Sequence, residues 1–500
     1  MSTAIGVDIG TTAVKTVLID DQAQILGEAS AEHDLYSEQQ GWAEEEPSSW
    51  WAGLCSSVSA LLRNTGVHPQ TVKAVGVSGM VPAIVLLDAR LRVLRRSIQQ
   101  QDARCVDEIA WLKQRIDQDE LYGRTGGYTN QQHVLPRLLW VKRNEPDVFA
   151  RVRYVMGSYD YMNLLLTGRP SLEVNWAVES GLFDIYNRSW IERYMAVGGI
   201  GPDLFPDVRL PHEVIGEICT EAARQTGLVK GTPVIAGSAD HVASALAAGL
   251  REQGDTLVKF GGGGDVLFCT AKCVTHPKMF IDYHNIPGKY LVNGCMASSG
   301  SLVKWYVKQM VPSSEQPGAL ARLDAAAEQI RAASEGIVVL PYFVGEKTPL
   351  FDPLARGVFF GLSLHHTREH LFRAVLESVS YGFRHHLDEL EQAGFVPTRV
   401  FGTNGGARSS LWRQITSDVL GRSMRVYTTH PGSAMGVAYV AAMASGMYNQ
   451  WSDIDAFLHD AIEVHPDEKN HEIYRRAYGI YRDLYRHLRS DFRLLAELYE

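Results

Sequence analysis

Basic residues are in the minority in this sequence: 48 Lys and Arg stand against 57 Asp and Glu, and the 500-residue chain carries a formal net charge of -9. Nucleic-acid binding draws its affinity from Lys and Arg set against phosphates, so the balance argues against a general nucleic-acid partner while leaving room for a local phosphate site. Cysteine is scarce as well. Cys55, Cys105, Cys219, Cys269, Cys273 and Cys295 lack the density of a disulfide scaffold, and the close pair Cys269 and Cys273 has no second Cys or His pair nearby to complete a zinc site. All six read as reduced thiols. No apolar run approaches the roughly 18 residues of a membrane span, and no low-complexity linker interrupts the chain. Met1-Ser2-Thr3 leads directly into an alternating apolar run, without the basic and long apolar regions of a signal peptide. The expected address is the cytoplasm, with no membrane partner.

What is present is the composition of a globular enzyme, 45% hydrophobic and 21% charged. The length predicts two domains of roughly 200 to 250 residues with a cleft between them. The pattern is α/β. Ile5, Val7 and Ile9 alternate with small or polar residues and end on Asp8-Ile9-Gly10; Ala13 to Ile19 and Ile25 to Ala31 return as further strands, giving an opening meander. Pro47 stands at a first helical turn, followed by Trp51, Leu54, Cys55, Val58, Leu61 and Leu62 on one face before Gly66. Strand-like runs recur at Val72 to Val77, Ala83 to Leu87 and Gly231 to Ala236. Around residue 245 the plan restarts, with Thr256 to Phe260 entering a glycine run and Val266 to Cys269 following it, which predicts domains over 1–246 and 247–500. The tail places Tyr474, Tyr478, Tyr481, Leu484, Tyr485, Leu488 and Phe492 at helical spacing. That aromatic face, or a sheet edge, is a surface on which two copies can pair as a homodimer.

Four segments carry chemistry. In Asp8-x-Gly10-Thr11-Thr12-x-x-Lys15 a carboxylate ends a strand and a small-residue turn exposes backbone amides and two hydroxyls, the parts that a phosphate with hydrated Mg²⁺ needs; an ordinary hairpin explains the same residues. Gly261-Gly262-Gly263-Gly264-Asp265 is a turn with no side chains to obstruct a polyphosphate. Gly402-Thr403-Asn404-Gly405-Gly406-Ala407-Arg408 precedes a helical pattern, and a strand, glycine turn and helix start in that order suit a nucleotide. Neither the Walker loop nor the Rossmann fingerprint fits. In Gly237-Ser238-Ala239-Asp240-His241 an acid precedes the small-residue helix Val242 to Gly249. It can cap that helix, or take the proton of an attacking hydroxyl in phosphoryl transfer. His241 beside it reads as a neighbour and not a participant.

Taken in order, these segments resemble the FGGY carbohydrate kinases. The stretch Gly357-Val358-Phe359-Phe360-Gly361-Leu362, followed seven residues on by His370-Leu371-Phe372-Arg373-Ala374-Val375-Leu376-Glu377, matches that family's second signature. Leu340 to Pro349 and Pro136 to Trp140 resemble two further family segments, the latter with Arg137 in place of Lys. The resemblance implies two ribonuclease-H-like, actin-like ATPase domains with a catalytic cleft between them, the first for sugar and base, the second for nucleotide. It implies ATP and Mg²⁺, with Asp8 at the metal, Thr11, Thr12, Lys15, Gly261, Gly262 and Gly263 at the phosphates, and Gly405, Gly406 and Ala407 at the adenosine. Asp240 would be the general base. Asp102 and Arg104, in a segment resembling Trp-Asn-Asp-Gly-Arg, would lie near the sugar hydroxyls, with a surface ion pair as the other reading of Arg104.

The nearest subgroup is the xylulose-kinase-like one, which implies a ketopentose acceptor. Three features depart from it. Gly79-Met80-Val81-Pro82-Ala83 stands where those enzymes show Gly-Gln-Met-His-Gly, so Met80 and Val81 would line a differently built sugar wall; Gln100 replaces a Trp; Gly262 replaces a Thr. Glycerol, erythritol, ribulose and gluconate are therefore alternative acceptors, and an actin-like, nucleotide-switched binding protein is the alternative from another class.

Overall fold

The computed structural model describes residues 1–430, 432–459 and 461–498. The chain forms two compact units. One comprises Met1–Arg251, Ala271–Leu291 and Pro431–Phe457, the other Glu252–Thr270, Val292–His430 and Leu458–Glu500. The chain thus passes between units several times, where the sequence suggests one division between 246 and 247.

In the first unit the opening meander is β1 (Thr3–Ile9), β2 (Ala13–Asp20) and β3 (Ile25–Glu32), antiparallel in turn. Helix α1 (Pro47–Thr65) follows, with Pro47 in its first turn, Trp50, Leu54, Val58, Leu61 and Leu62 buried, and Gly66 ending it at φ 66°. Each such side chain taken from water contributes about 2 kcal/mol. The strand β4 (Val72–Gly79) then enters parallel to β1, and β5 (Val214–Glu217), β6 (Pro233–Ile235) and the short β7 (Ser238–Ala239) complete a sheet of order β5-β6-β4-β1-β2-β3, with β7 also on β4. Helices α2 (Val174–Glu179) and α3 (Asp240–Ala247) belong to this unit.

A late segment completes its core. The helix Gly432–Ala444 lies on β1, β2 and β4 and against α3, burying Met435, Val437, Tyr439 and Val440 with Ala4, Val17, Ile19, Ala243 and Leu246. The approach is close: a β-carbon on Gly436 would lie 2.0 Å from the Ala243 carbonyl oxygen.

The second unit holds β8 (Asp255–Phe260), β9 (Gly264–Thr270), β10 (Tyr290–Met296), α4 (Gly300–Met310), α5 (Arg368–Gln392), β11 (Arg399–Thr403), α6 (Ser410–Leu420), β12 (Met424–Val426), β13 (Ile462–Val464) and α7 (Glu468–Glu497). Its strands run in the order β10-β9-β8-β11-β12-β13, with β8 parallel to β11. The predicted tail helix is α7, and part of its aromatic face packs inside its own unit. Tyr474, Tyr481 and Phe492 are buried; Arg373 Nη2 donates to the Tyr474 hydroxyl at 2.8 Å, which donates to Glu377 Oε1 at 2.9 Å, and Tyr342 donates to Tyr481 at 2.8 Å. Among the described residues, no helix is long and apolar enough to cross a membrane.

Candidate active site

The registers of β1, β4 and β7 bring three short segments to one end of the sheet. Asp8 pairs with Ser78 across β1 and β4 and with Lys15 across the hairpin, while Ser78 pairs with Ser238 and Gly79 with Ala239. Asp240 comes next, as the first residue of α3. The helix takes Ala239 as its N-cap, with no side-chain capping hydrogen bond, so the capping reading of Asp240 does not hold. Its carboxylate is 39% exposed, and Oδ1 accepts from the His241 main-chain N–H at 2.6 Å.

Asp8 Oδ1 accepts from the Ser78 hydroxyl at 2.9 Å. Burial, and then the negative charge of Asp240, push the Asp8 carboxyl up to about 6; hydrogen bonds from Ser433 and Ser78 and the Lys15 ammonium oppose the rise. Two carboxylates thus feel each other at one end of one sheet. The turn after Asp8 is held by the Gly10 N–H on the Ala13 carbonyl at 3.1 Å, and Thr12 and Lys15 are exposed on it.

Met80 and Val81 continue β4 beyond its paired end and are buried. The Met80 sulfur receives the Thr11 hydroxyl at 2.9 Å and the Gln100 amide at 3.7 Å, and Gln132 donates to Gln100 Oε1 at 3.3 Å. Gln100 therefore occupies the wall where the related segment has Trp, joined by Gln132, which no sequence motif marks.

Asp102 and Arg104 are engaged with each other. Both side chains are 0% exposed. Arg104 Nε and Nη2 donate to the two oxygens of Asp102 at 2.9 and 2.7 Å, Nη2 also reaches Glu44 at 2.7 Å, and the main-chain amides of Ala43 and Arg104 complete the Asp102 shell. The guanidinium carbon lies 3.9 Å from the Trp42 ring centroid and 4.8 Å from that of Trp140. Together they brace the turn that carries Gln100, and their burial rules out the surface ion pair.

In the second unit, two turns meet at one end of the parallel pair β8 and β11. Gly261 to Gly263 join β8 to β9, and the carbonyls of Gly261 and Gly262 accept from the amides of Gly300, Ser299 and Ser301 at the start of α4, at 2.7 to 3.0 Å. Gly262 faces open space, with nothing within 4 Å of where a β-carbon on it would lie. Asn404 follows β11 with its amide nitrogen 3.6 Å from where a Gly261 β-carbon would lie, and Gly405 to Arg408 form a 3₁₀ turn before α6. Gly405 is exposed; Gly406 is pressed on Trp412, and Ala407 is fully buried, shaping the turn from within. The Ser409 hydroxyl caps α6 by accepting from the Trp412 N–H at 3.1 Å.

The sequence marks His241 only as a neighbour of Asp240, and the structure gives it more. Its ring lies between Asp240 on one side and Asp282 and Glu179 on the other. The sequence holds no signal for this, because Glu179 and Asp282 come from segments with no motif.

These two mixed α/β units have the fold shared by sugar kinases and actin-like ATPases. Residues 3–247 match the N-terminal domain of the FGGY family of carbohydrate kinases and residues 262–445 its C-terminal domain; the chain belongs to that family and is a carbohydrate kinase. The xylulose kinase of Rhodospirillum rubrum superposes with a TM-score of 0.94 at 42% identity, covering 98% of this chain and 100% of that one. The xylulose kinase of Escherichia coli K12 is 30% identical over 97% of this chain and 99% of its own length. The gluconokinase of Bacillus subtilis is 26% identical over 99% of this chain and 97% of its own.

Proposed function

We propose that this kinase transfers the γ-phosphoryl group of ATP to a hydroxyl of a ketopentose, xylulose being the favoured acceptor, with Asp240 as general base. The observation that carries the reading is the register that sets Asp8, near the end of β1, and Asp240, just after β7, at the same end of one sheet, both strands pairing with β4. Asp240, partly exposed at the start of α3, takes the proton of the acceptor hydroxyl as it attacks. Met80, Val81 and Gln100 line the acceptor, and the Asp102–Arg104 pair holds that wall in place. Thr11, Thr12 and Lys15 bind phosphate, as do the amides of Gly261 to Gly263, and the exposed turn at Gly405 and Gly406 takes the adenosine.

Asp8 suits a divalent cation. It is a half-buried oxygen ligand whose charged form is disfavoured by burial and by Asp240, and a cation beside it reverses both effects. Asp8, oriented by Ser78, would hold it. Bound Mg²⁺ supplies neutralisation of the phosphate charge. ATP as phosphoryl donor supports a cytoplasmic enzyme.

The test is ADP release across D-xylulose, D-ribulose, glycerol, erythritol and D-gluconate, repeated with Asp240→Asn. D-xylulose should give the highest kcat/KM, and the variant should lose about 10²-fold in kcat, the scale of a lost general base. A preference for gluconate or glycerol would reassign the acceptor, and an Asp240→Asn enzyme within about threefold of the parent would remove the base.

A further inference from the structure

The residue after the proposed base is clamped. His241 Nε2 is 3.1 Å from Asp282 Oδ2 and 3.6 Å from Glu179 Oε1, while Nδ1 is 3.5 Å from Asp240 Oδ1. One ring nitrogen thus faces each side. The same Asp240 oxygen accepts the His241 main-chain N–H at 2.6 Å, so a single residue meets it twice. The His241 side chain is 15% exposed and Asp282 is 1% exposed, which places the far side of the clamp inside the fold.

The clamp is itself anchored. Asp282 lies on the strand Phe280–Tyr283, and Asn175 of α2 fastens that strand from both directions: its Oδ1 accepts from the Tyr283 N–H at 2.7 Å and its Nδ2 donates to the Tyr283 carbonyl at 2.9 Å. Glu173 caps α2 by accepting from the amides of Asn175 and Trp176, and Glu179 ends the same helix. Ser238, two residues before the base, donates to Asn285 Oδ1 at 2.8 Å. Asp240 and its clamp are therefore tied to the same strand and turn.

Electrostatics agree with the geometry. Burial opposes a charge on the imidazole, but Asp282, Asp240 and Glu179 outweigh it and hold the ring well above the usual histidine range. Burial, then the charge of Asp282, push the Glu179 carboxyl well above the usual range, while the His241 charge opposes the rise.

We propose that His241 is a positioning residue for Asp240: fixed from behind by Asp282 and Glu179, it commits Oδ1 of Asp240 to itself and leaves Oδ2 to meet the acceptor hydroxyl. The proposal rests on Asp240 being the base. Its effect is on the chemical step and passes through one carboxylate. A carboxylate free to turn about its last torsion presents the accepting oxygen only part of the time, and holding it removes that loss before the hydroxyl arrives.

The test is a double-mutant cycle on the purified kinase, using the fastest acceptor of the panel above at saturating ATP. His241→Ala should lower kcat about tenfold, a fraction of the loss expected at Asp240 itself, with both KM values within about threefold. Asp282→Asn should act in the same direction, because it loosens the ring without touching Asp240. In the Asp240→Asn background, His241→Ala should cost less than about twofold more, because its route to the reaction is already gone. Full additivity of the two losses, or a His241→Ala enzyme with the parent's kcat, overturns the positioning role while leaving Asp240 as base. Parental activity in Asp240→Asn overturns both. Should His241→Ala fail to fold by its melting curve, Asp282→Asn and the Asp240→Asn, Asp282→Asn double variant decide the same question by the same criteria.

Discussion

Gly237 packs so tightly on Val77 that a β-carbon at Gly237 would lie 2.0 Å from the Val77 carbonyl oxygen, and its φ of 92° is one that side chains rarely adopt. This contact seats β7 beside β4 and so delivers Asp240 to the end of the sheet that carries Asp8. Gly237→Ala should cost about 3 kcal/mol of stability, from strain and overpacking together. It should also lower kcat at least as much as His241→Ala, because the β7 register moves with it. Thermal melting and turnover measured together check this; a variant matching the parent in both would show that the junction yields freely.

Gly262 makes the opposite prediction. The space around it is open and its φ lies outside the left-handed region, so Gly262→Thr should leave the melting temperature within about 2 °C of the parent, the range of a neutral surface change. A hydroxyl added there can donate to a phosphate, a hydrogen bond worth about 1 kcal/mol net, and should lower the ATP KM about fivefold. An unchanged KM would place the phosphates elsewhere than against Gly262.

The buried ion pair is expected to act on stability more than on binding. Arg104→Met leaves Asp102 without its cation in a closed site, while Glu44 keeps Arg95, and breaking a buried pair from one side costs about 3 to 5 kcal/mol. Denaturant unfolding should show that loss, while the acceptor KM of the folded fraction stays within about threefold. A raised KM at unchanged stability would return Arg104 to direct contact with sugar.

Glu45 gives a pH dependence with a definite sign. Its Oε2 accepts from the Trp50 indole N–H at 2.7 Å, and burial raises the carboxyl from 4.5 to about 8, against which Trp50 pulls only weakly. The folded chain then holds a proton that the unfolded chain has released. The contribution is full below pH 4.5 and is lost progressively as pH rises through about 8. The melting temperature should therefore fall between those values, and Glu45→Gln, which cannot ionise, should flatten the fall. Equal slopes for the two proteins would show that Glu45 is ionised throughout.

How much is legible in the sequence follows from how local each signal is. Asp8 can be read because alternation and a glycine turn mark a strand end without help from the rest of the chain. The turns at Gly261 and Gly405 are visible for the same reason. Asp240 is ambiguous, because capping and catalysis call for the same residue at a helix start, and only the register of β7 gives the cap to Ala239. The closure of Asp102 and Arg104 on each other is not legible, because it depends on Trp42, Glu44 and Trp140, which the chain brings in from other segments. The clamp on His241 is invisible, since nothing in the patterns of Glu179 or Asp282 names a partner. The helix Gly432–Ala444 is buried nearly all round, and a helix apolar on every side does not say which sheet it covers.

That helix also sets an order of events during synthesis. Strands β1, β2 and β4 and helix α3 emerge early from the ribosome, yet the surface they share stays bare until residues 432–444 have been made. Domains generally fold as units, and a half-covered sheet with exposed apolar residues is prone to aggregate. The unit that carries Asp8 and Asp240 is thus finished almost last, and a nascent chain of this kinase has to survive most of its translation with the floor of its active site unsealed.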